Sequence, residues 1–409
     1  MGVLSLPIWR YSLPWQLAMG LLYYSLRYSR VLDTVEARPD PTVSWRMLLY
    51  CKEIRDHKAF QDATWRQREI WQGQMIREGA MKYIVEALYE FPEDRGLHLA
   101  CTNAIIRVAS ENWLTTLQMA KGADVPKAVL NTGLGFWFDA EVTGTAASAI
   151  GVLSNTSDIV RSDLARMGSI QFASDTLERH PDNLIAVRGA LDLLGTMHHQ
   201  PMYFTKAVLE YDFTQKIVDS IKKFPDKKDG VLAAALQALS VVAGRPPVPE
   251  VQEALVNEGA IEGVQTALAS EGNNTESYLV GMRFASFIVE GNRTHLQKFI
   301  EAGFATTIAR CLAHPHDSKK PQKMHQADAM AMKVLTLMLE DDKKGVMKKA
   351  GVDALIEAAT RMRPMHGGLK ALHDSIVDAF SKGPNESAGE KEEEKKEEEK
   401  GEDDDDDDE

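Results

Sequence analysis

The sequence predicts an all-α solenoid built from successive helix triplets. Three observations carry that reading. A glycine-centred phrase returns every 43–48 residues along the 409-residue chain. A breaker, usually with proline, follows it and precedes a long Ala/Leu-rich segment. No stretch alternates apolar and polar residues as a half-buried strand does. The predicted order is an N-terminal apolar helix (1–32), a linker (33–44), capping helices (45–70), the solenoid (71–383) and a disordered acidic tail (384–409).

The front segment holds sixteen residues without formal charge between Arg10 and Arg27, and its first acid is Asp33. As a helix those sixteen span about 24 Å, short of a hydrocarbon core of about 30 Å. The apolar VLSLPIW before Arg10, with snorkelling arginines, closes the gap. Trp9, Trp15, Tyr23, Tyr24 and Tyr28 then fall at the two interfaces as an aromatic belt. Leu17, Leu21, Leu22 and Leu26 fill the apolar span, and Arg27 and Arg30 mark the side from which the rest of the chain hangs. The expectation is a membrane anchor. Two other readings stay open. A cleaved mitochondrial presequence matches the arginines, serines and lack of acids, but not the apolar, aromatic middle with its two prolines. An amphipathic helix packed on the first unit would use Gln16, Gly20, Arg27 and Arg30 as a weak polar stripe. A secretory signal fits badly because no small-residue cleavage site follows, and Leu6 stands where N-myristoylation wants Ser or Thr.

ARPDPTV, with Pro39 and Pro41, reads as a short stiff linker. Residues 45–70 lack the glycine phrase and read as one or two capping helices.

The phrase itself runs MIREGAMKYIVEAL at Gly79, QMAKGADVPKAVL at Gly122 and LARMGSIQFASDTL at Gly168. It returns as LVNEGAIEGVQTAL at Gly259, FIEAGFATTIARCL at Gly303 and MKKAGVDALIEAA at Gly351, with a degenerate copy that puts Asp212 in the glycine position. A short helix ends at the glycine, whose freedom suits a left-handed helix end. An apolar stripe follows, as in Ile84 and Leu88 or Ile261, Val264 and Leu268. The breakers at Pro92, Pro181, Pro225, Pro315 and Pro364 separate this second helix from a third, Ala/Leu-rich one. Three helices per unit of this length resemble the armadillo repeat over about residues 70–381. The resemblance implies a right-handed superhelical solenoid of about seven repeats whose third helices line a peptide-binding groove. The corresponding i, i+4 positions are Asn103/Arg107, Ser148/Val152, Arg188/Asp192, Arg283/Phe287, Asp328/Met332 and Asp374/Asp378. They give a groove of mixed polarity with acids toward its C-terminal half. They lack the Trp–Asn ladder of nuclear-import members, which excludes that function.

Nothing points to catalysis. GLGFWF (133–138) has no preceding strand and no GKS/T, so it is no phosphate loop, and Trp137 within it reads as core. His198 and His199 are adjacent and point to different helix faces. His314 and His316 have one acid nearby, Asp317. No metal, cofactor or small-molecule substrate is expected. Cys51, Cys101 and Cys311 form no CxxC pair, so the expectation is three unpaired thiols in a reducing compartment. The NxS/T triplets at Asn155, Asn273, Asn292 and Asn385 matter only in a secreted chain.

The net charge of −13 belongs to the tail: residues 386–409 carry a net of −12, and the remaining 385 residues a net of −1. A near-neutral body argues against nucleic-acid binding, which needs a concentrated basic face. The tail EKEEEKKEEEKGEDDDDDDE cannot bury apolar surface and stays solvated. It serves either as a solubility tail or as a polyanion that concentrates cationic ligands.

Basic apolar front, armadillo units and acidic run together resemble the armadillo-repeat receptors of the trypanosomatid archaic translocase of the mitochondrial outer membrane. The resemblance rests on residues 11–30, the six glycines and residues 390–409. It implies a receptor on the mitochondrial outer membrane, facing the cytosol, whose partners are mitochondrial precursor proteins and other translocase subunits. It supplies no binding residues. The competing reading is a soluble armadillo scaffold in a cytoskeletal assembly, or a matrix scaffold with a cleaved leader.

Overall fold

The computed structural model describes residues 43–382 apart from 57–64, 111–117, 120–123, 156–157, 198–200, 245–247, 272–273, 291, 314–320, 343–344, 355 and 358–367. The expected anchor with Trp15, Leu17, Leu21, Leu22, Tyr23, Leu26, Arg27 and Arg30, nearly all of the linker, and the acidic tail lie outside the described residues. So do Gly122, His198, His199, His314, His316 and Asp317. Among the described residues every regular element is a helix, and no helix is long and apolar enough to cross a membrane.

Helix α1 (Ser44–Asp56) precedes the first triplet, α2 (Trp65–Arg77), α3 (Ala80–Glu90) and α4 (Arg95–Ala109). Next come α5 (Val125–Gly135) and α6 (Ala140–Ser154), then the triplet α7 (Asp158–Arg166), α8 (Ser169–Arg179) and α9 (Leu184–Leu194). The following triplets are α10 (Pro201–Glu210), α11 (Phe213–Lys223), α12 (Val231–Ala243), and α13 (Pro249–Asn257), α14 (Ala260–Glu271), α15 (Thr275–Val289). The last are α16 (Arg293–Glu301), α17 (Phe304–Ala313), α18 (Pro321–Asp341), and then α19 (Val346–Lys349) and α20 (Gly368–Lys382). Helix α2 runs across residue 70 and occupies the first-helix place of its triplet.

The hinge between first and second helices is one recurring backbone turn. Gly79, Gly168, Gly259, Gly303 and Gly351 all have φ between +70° and +91°. The N–H groups of Gly79, Gly168, Gly303 and Gly351 close the preceding helix, as Gly79 does on Ile76 O at 3.0 Å, and the carbonyls of Gly79, Gly168, Gly259 and Gly303 accept from the next, as Gly168 does from Phe172 N at 2.9 Å. Asp212 adopts the same left-handed conformation at φ 51°. In the second unit the left-handed residue is Asp124 (φ 54°), two positions beyond the expected Gly122, so that hinges at 79, 124, 168 and 212 fall 44–45 residues apart. Aspartate is one of the few side chains that tolerates this region.

Four of the third helices start on side-chain caps. Asp94 accepts from Leu97 N, Asp139 from Glu141 and Val142 N, Asn183 from Ile185 and Ala186 N, and Asn274 from Glu276 N. These caps satisfy donors that a helix start leaves open. First helices in turn satisfy acceptors at the far end: Gln72 Nε2 donates to Arg107 O and Ser110 O, Gln252 Nε2 to Phe287 O, and Gln297 Nε2 to Asp341 O.

Third helices pack side by side in chain order, α4 on α6, α6 on α9, and so on through α12, α15, α18 and α20. Helix α1 stands at the head of this row against α4. One apolar core runs the whole length, from Met47 to Phe380. Each element touches its own triplet and the neighbouring ones, which is the packing of an all-α solenoid. The tightest approach is α6 on α9. A Cβ on Gly189 would stand 2.1 Å from Gly144 O, so only glycine fits there.

The cysteine expectation is corrected at α1. Cys51 and Cys101 are both fully buried and form a disulfide between α1 and α4. Fifty residues of separation hide the pair in the sequence, and only the docking of α1 on α4 brings the sulfurs together. Cys311 is buried and takes no part in that bridge, and burial pushes its thiol up to about 12.

Candidate functional site

The open face of the third-helix row is a strip of polar and half-buried side chains. On α4, Asn103 is half-buried and its Nδ2 donates to Leu99 O at 2.8 Å, while Arg107 is exposed. On α6, Ser148 and Val152 are half-buried. On α9, Arg188 Nε lies 3.8 Å from Asp192 Oδ2. The Arg188 guanidinium also rests on Gly230 at the start of α12, where a Cβ would meet its Cζ at 3.0 Å. Burial among the neighbouring helices pushes the Asp192 carboxyl up to about 6, opposed by Arg188. Gln237 continues the strip on α12 and donates to Gly195 O at 3.2 Å. Arg283 and Phe287 on α15 are half-buried, and Asp374 and Asp378 on α20 are exposed.

Asp328 does not belong to this strip. It is 3% exposed and accepts from Tyr278 Oη at 3.3 Å, and Met332 is fully buried. The exposed face of α18 runs one residue further along, through Ala329 and Lys333. Lys333 pairs with Glu290 at 3.2 Å, and Lys323 with Glu276 at 2.8 Å, so these ion pairs tie α18 to α15. The acidic C-terminal half expected of the strip is therefore reduced to Glu276, Glu290 and the α20 pair, interrupted by two lysines. Among the described residues the strip offers charges of both signs along a row of helices.

Trp137 is the second correction. It is not core but 40% exposed, and Phe138 beside it is 78% exposed. Phe136, before Trp137, is half-buried, closes α5 and has its ring centroid 4.8 Å from that of His98. His98 is buried, and burial holds its pKa below the usual imidazole value. Its Nε2 lies 3.1 Å from Phe91 O, which can only accept, so the proton is assigned to Nε2. Nδ1 lies 2.9 Å from Thr132 Oγ1, whose hydroxyl donates to Ala128 O at 3.0 Å. The exposed aromatic pair escaped sequence reading because an apolar triplet next to a helix scores as core. The signal that marks it is internal: three of the other loops at this place read Pro-Glu or Pro-Asp.

A cleft of about 390 Å³ lies between α5 and α7, floored by Pro126, Ile159, Val160 and Met167 and edged by Asp124, Asp163 and Arg166. Among the described residues no group of three or more His, Cys, Asp or Glu is arranged to hold a metal ion.

No protein-family model and no curated protein matches the chain. Solved structures do. An engineered protein from a structural genomics programme matches at 20% identity and TM-score 0.51, over 61% of this chain and 98% of its own. A second engineered protein from the same programme matches at 14% identity and TM-score 0.57, over 87% of this chain and 88% of its own. At these identities the likeness is one of fold alone.

Proposed function

We propose that the chain is an armadillo-type right-handed superhelical solenoid of about seven repeats that serves as a membrane-anchored receptor. In this reading residues 11–30 hold it in the mitochondrial outer membrane. The solenoid faces the cytosol, captures precursor proteins through their basic presequences, and passes them to other translocase subunits at the import pore. The observation that carries it is the arrangement of three parts: an apolar, aromatic, acid-free front, a helical array with an open charged face, and a run with a net charge of −12 behind. A polyanion raises the local concentration of cationic segments by long-range attraction, and the array supplies surface to hold them.

Two measurements test it. A tag at the acidic end should be lost when intact mitochondria are treated with protease. The chain should also stay in the membrane pellet at alkaline pH; quantitative release removes the anchor. One observation favours a second orientation. Disulfides persist in oxidising compartments, so the Cys51–Cys101 bridge suits an array on the oxidising side of a membrane. Protection of the tag in intact organelles selects that orientation.

A further inference from the structure

Three triplets close the loop between second and third helix in the same way. Phe91, His180 and Phe224 end the second helix with φ between −119° and −124°. A proline follows at 92, 181 and 225, then an acid at 93, 182 and 226. Between α5 and α6, Phe136 holds the same place with φ −105°, but the next two residues are Trp137 and Phe138. Their ring centroids lie 3.9 Å apart. The pair is fixed in place: the Arg179 guanidinium stands 4.0 Å from the Trp137 ring centroid, and His180 Nε2 is 2.9 Å from Trp137 O. Leu134, one turn earlier, is also exposed, as is Tyr89 at the equivalent position of α3.

The scaffold does not need these aromatics, since its neighbours close the same loop with proline and an acid. A Trp held rigid beside a second exposed aromatic is the composition of a binding hot spot. Two cations stand by the ridge, Arg179 on the Trp137 ring and Arg95 at its edge, and carboxylates outnumber them. Arg95 is engaged by Asp139 and Glu141, whereas Glu90 and Glu93 make no ion pair among the described residues. We propose that this ridge docks a cationic amphipathic helix, with its apolar face on Trp137, Phe138 and Leu134 and its lysines and arginines toward the carboxylate rim. The natural source of that helix, a precursor's presequence, rests on the receptor reading above; the place of docking does not. It is separate from the third-helix strip.

The test is fluorescence anisotropy with the full 409-residue chain and a labelled synthetic 18-residue helix, leucine on one face and lysine and arginine on the other. A scrambled peptide of equal composition is the control. The double variant Trp137→Pro/Phe138→Glu rebuilds the loop of the neighbouring triplets and takes away no hydrogen bond from the described backbone, so it should keep the wild-type melting temperature. It should bind the peptide at least tenfold more weakly. Phe138→Glu alone, at a largely exposed position, serves if the double variant fails to fold. Undiminished affinity in a folded variant overturns the ridge. If Asp374→Lys/Asp378→Lys abolishes binding while the loop variant does not, the receptor reading stands and the ridge falls. Failure of the wild-type chain to prefer the amphipathic peptide over the scrambled one overturns the ligand class, whatever protease treatment says of location. A tenfold gain on deleting residues 1–32 assigns the ridge to the chain's own front segment, and self-association lost in the loop variant assigns it to a second copy; either overturns the proposal.

Discussion

Gly144 and Gly189 meet backbone to backbone where α6 crosses α9. A Cβ on Gly189 would stand 2.1 Å from Gly144 O, and one on Gly144 would stand 2.5 Å from Ile185 O. Neither obstacle is a flexible side chain. Gly189→Ala should therefore destabilise the chain by about 1–3 kcal/mol, as overpacking does. Gly73→Ala, in α2 with nothing within 4 Å, should instead stabilise by about 0.5–1 kcal/mol. Urea unfolding of the two variants checks both signs; equal midpoints would mean that the helices separate without loss.

The left-handed hinges give a second pair of opposite outcomes. Asp124 and Asp212 hold φ values of 54° and 51° that glycine adopts without strain. Asp212→Gly should raise stability by a few tenths of a kcal/mol up to about 1 kcal/mol. Gly168→Ala, at φ 91°, should lower it by about 1 kcal/mol or more. Thermal melting of the two single variants settles the comparison.

Loss of the Cys51–Cys101 bridge should release α1 from the head of the row. The loop it closes spans 50 residues, for which chain entropy gives about 4 kcal/mol. Cys51→Ser should then expose the α1–α4 interface to hydrogen exchange while exchange in α15 stays at its wild-type rate. In the native wild-type chain, thiol titration should find no reactive cysteine, because Cys311 is buried and its thiol is pushed up to about 12.

Asp192 makes stability depend on pH. Its folded pKa, about 6, lies above the ordinary value of 3.8, so the folded state holds the proton more tightly than the unfolded chain. The stabilisation is complete below about pH 4 and disappears as pH rises through 6. Asp192→Asn should match the wild type near pH 4 and gain on it up to pH 7. The Asp192 side chain is 41% exposed and Arg188 stands 3.8 Å away, so the gain should be small, about 1–2 °C in Tm. Parallel Tm profiles for the two proteins between pH 4 and 7.5 would show that the carboxyl titrates normally.

His98 adds the opposite trend. Burial depresses its folded pKa, so its contribution is present above the unfolded value near 6.5 and is lost as pH falls through the lower folded one. His98→Gln keeps one donor and one acceptor but no titrating group. Its melting temperature should fall less than the wild type's on acidification.

The helix triplets were legible in the sequence because their causes are local. A glycine that must take positive φ, a proline that ends a helix, and an apolar stripe every three to four residues are all written in neighbouring positions. Asp212 could be placed by spacing alone. Features that depend on which helix lies beside which were not legible. That α18 buries Asp328 and exposes Lys333 follows from how it packs on α15, where Tyr278 meets Asp328. The Cys51–Cys101 bridge needs α1 against α4, and the close crossing at Gly144 and Gly189 needs α6 against α9. Trp137 read as core until the loop stood beside its equivalents and the ring faced Arg179 and solvent. Periodicity determines which residues form helices and where they break; tertiary packing alone decides which turn of each helix faces water, because burial depends on the neighbour that arrives from forty residues away.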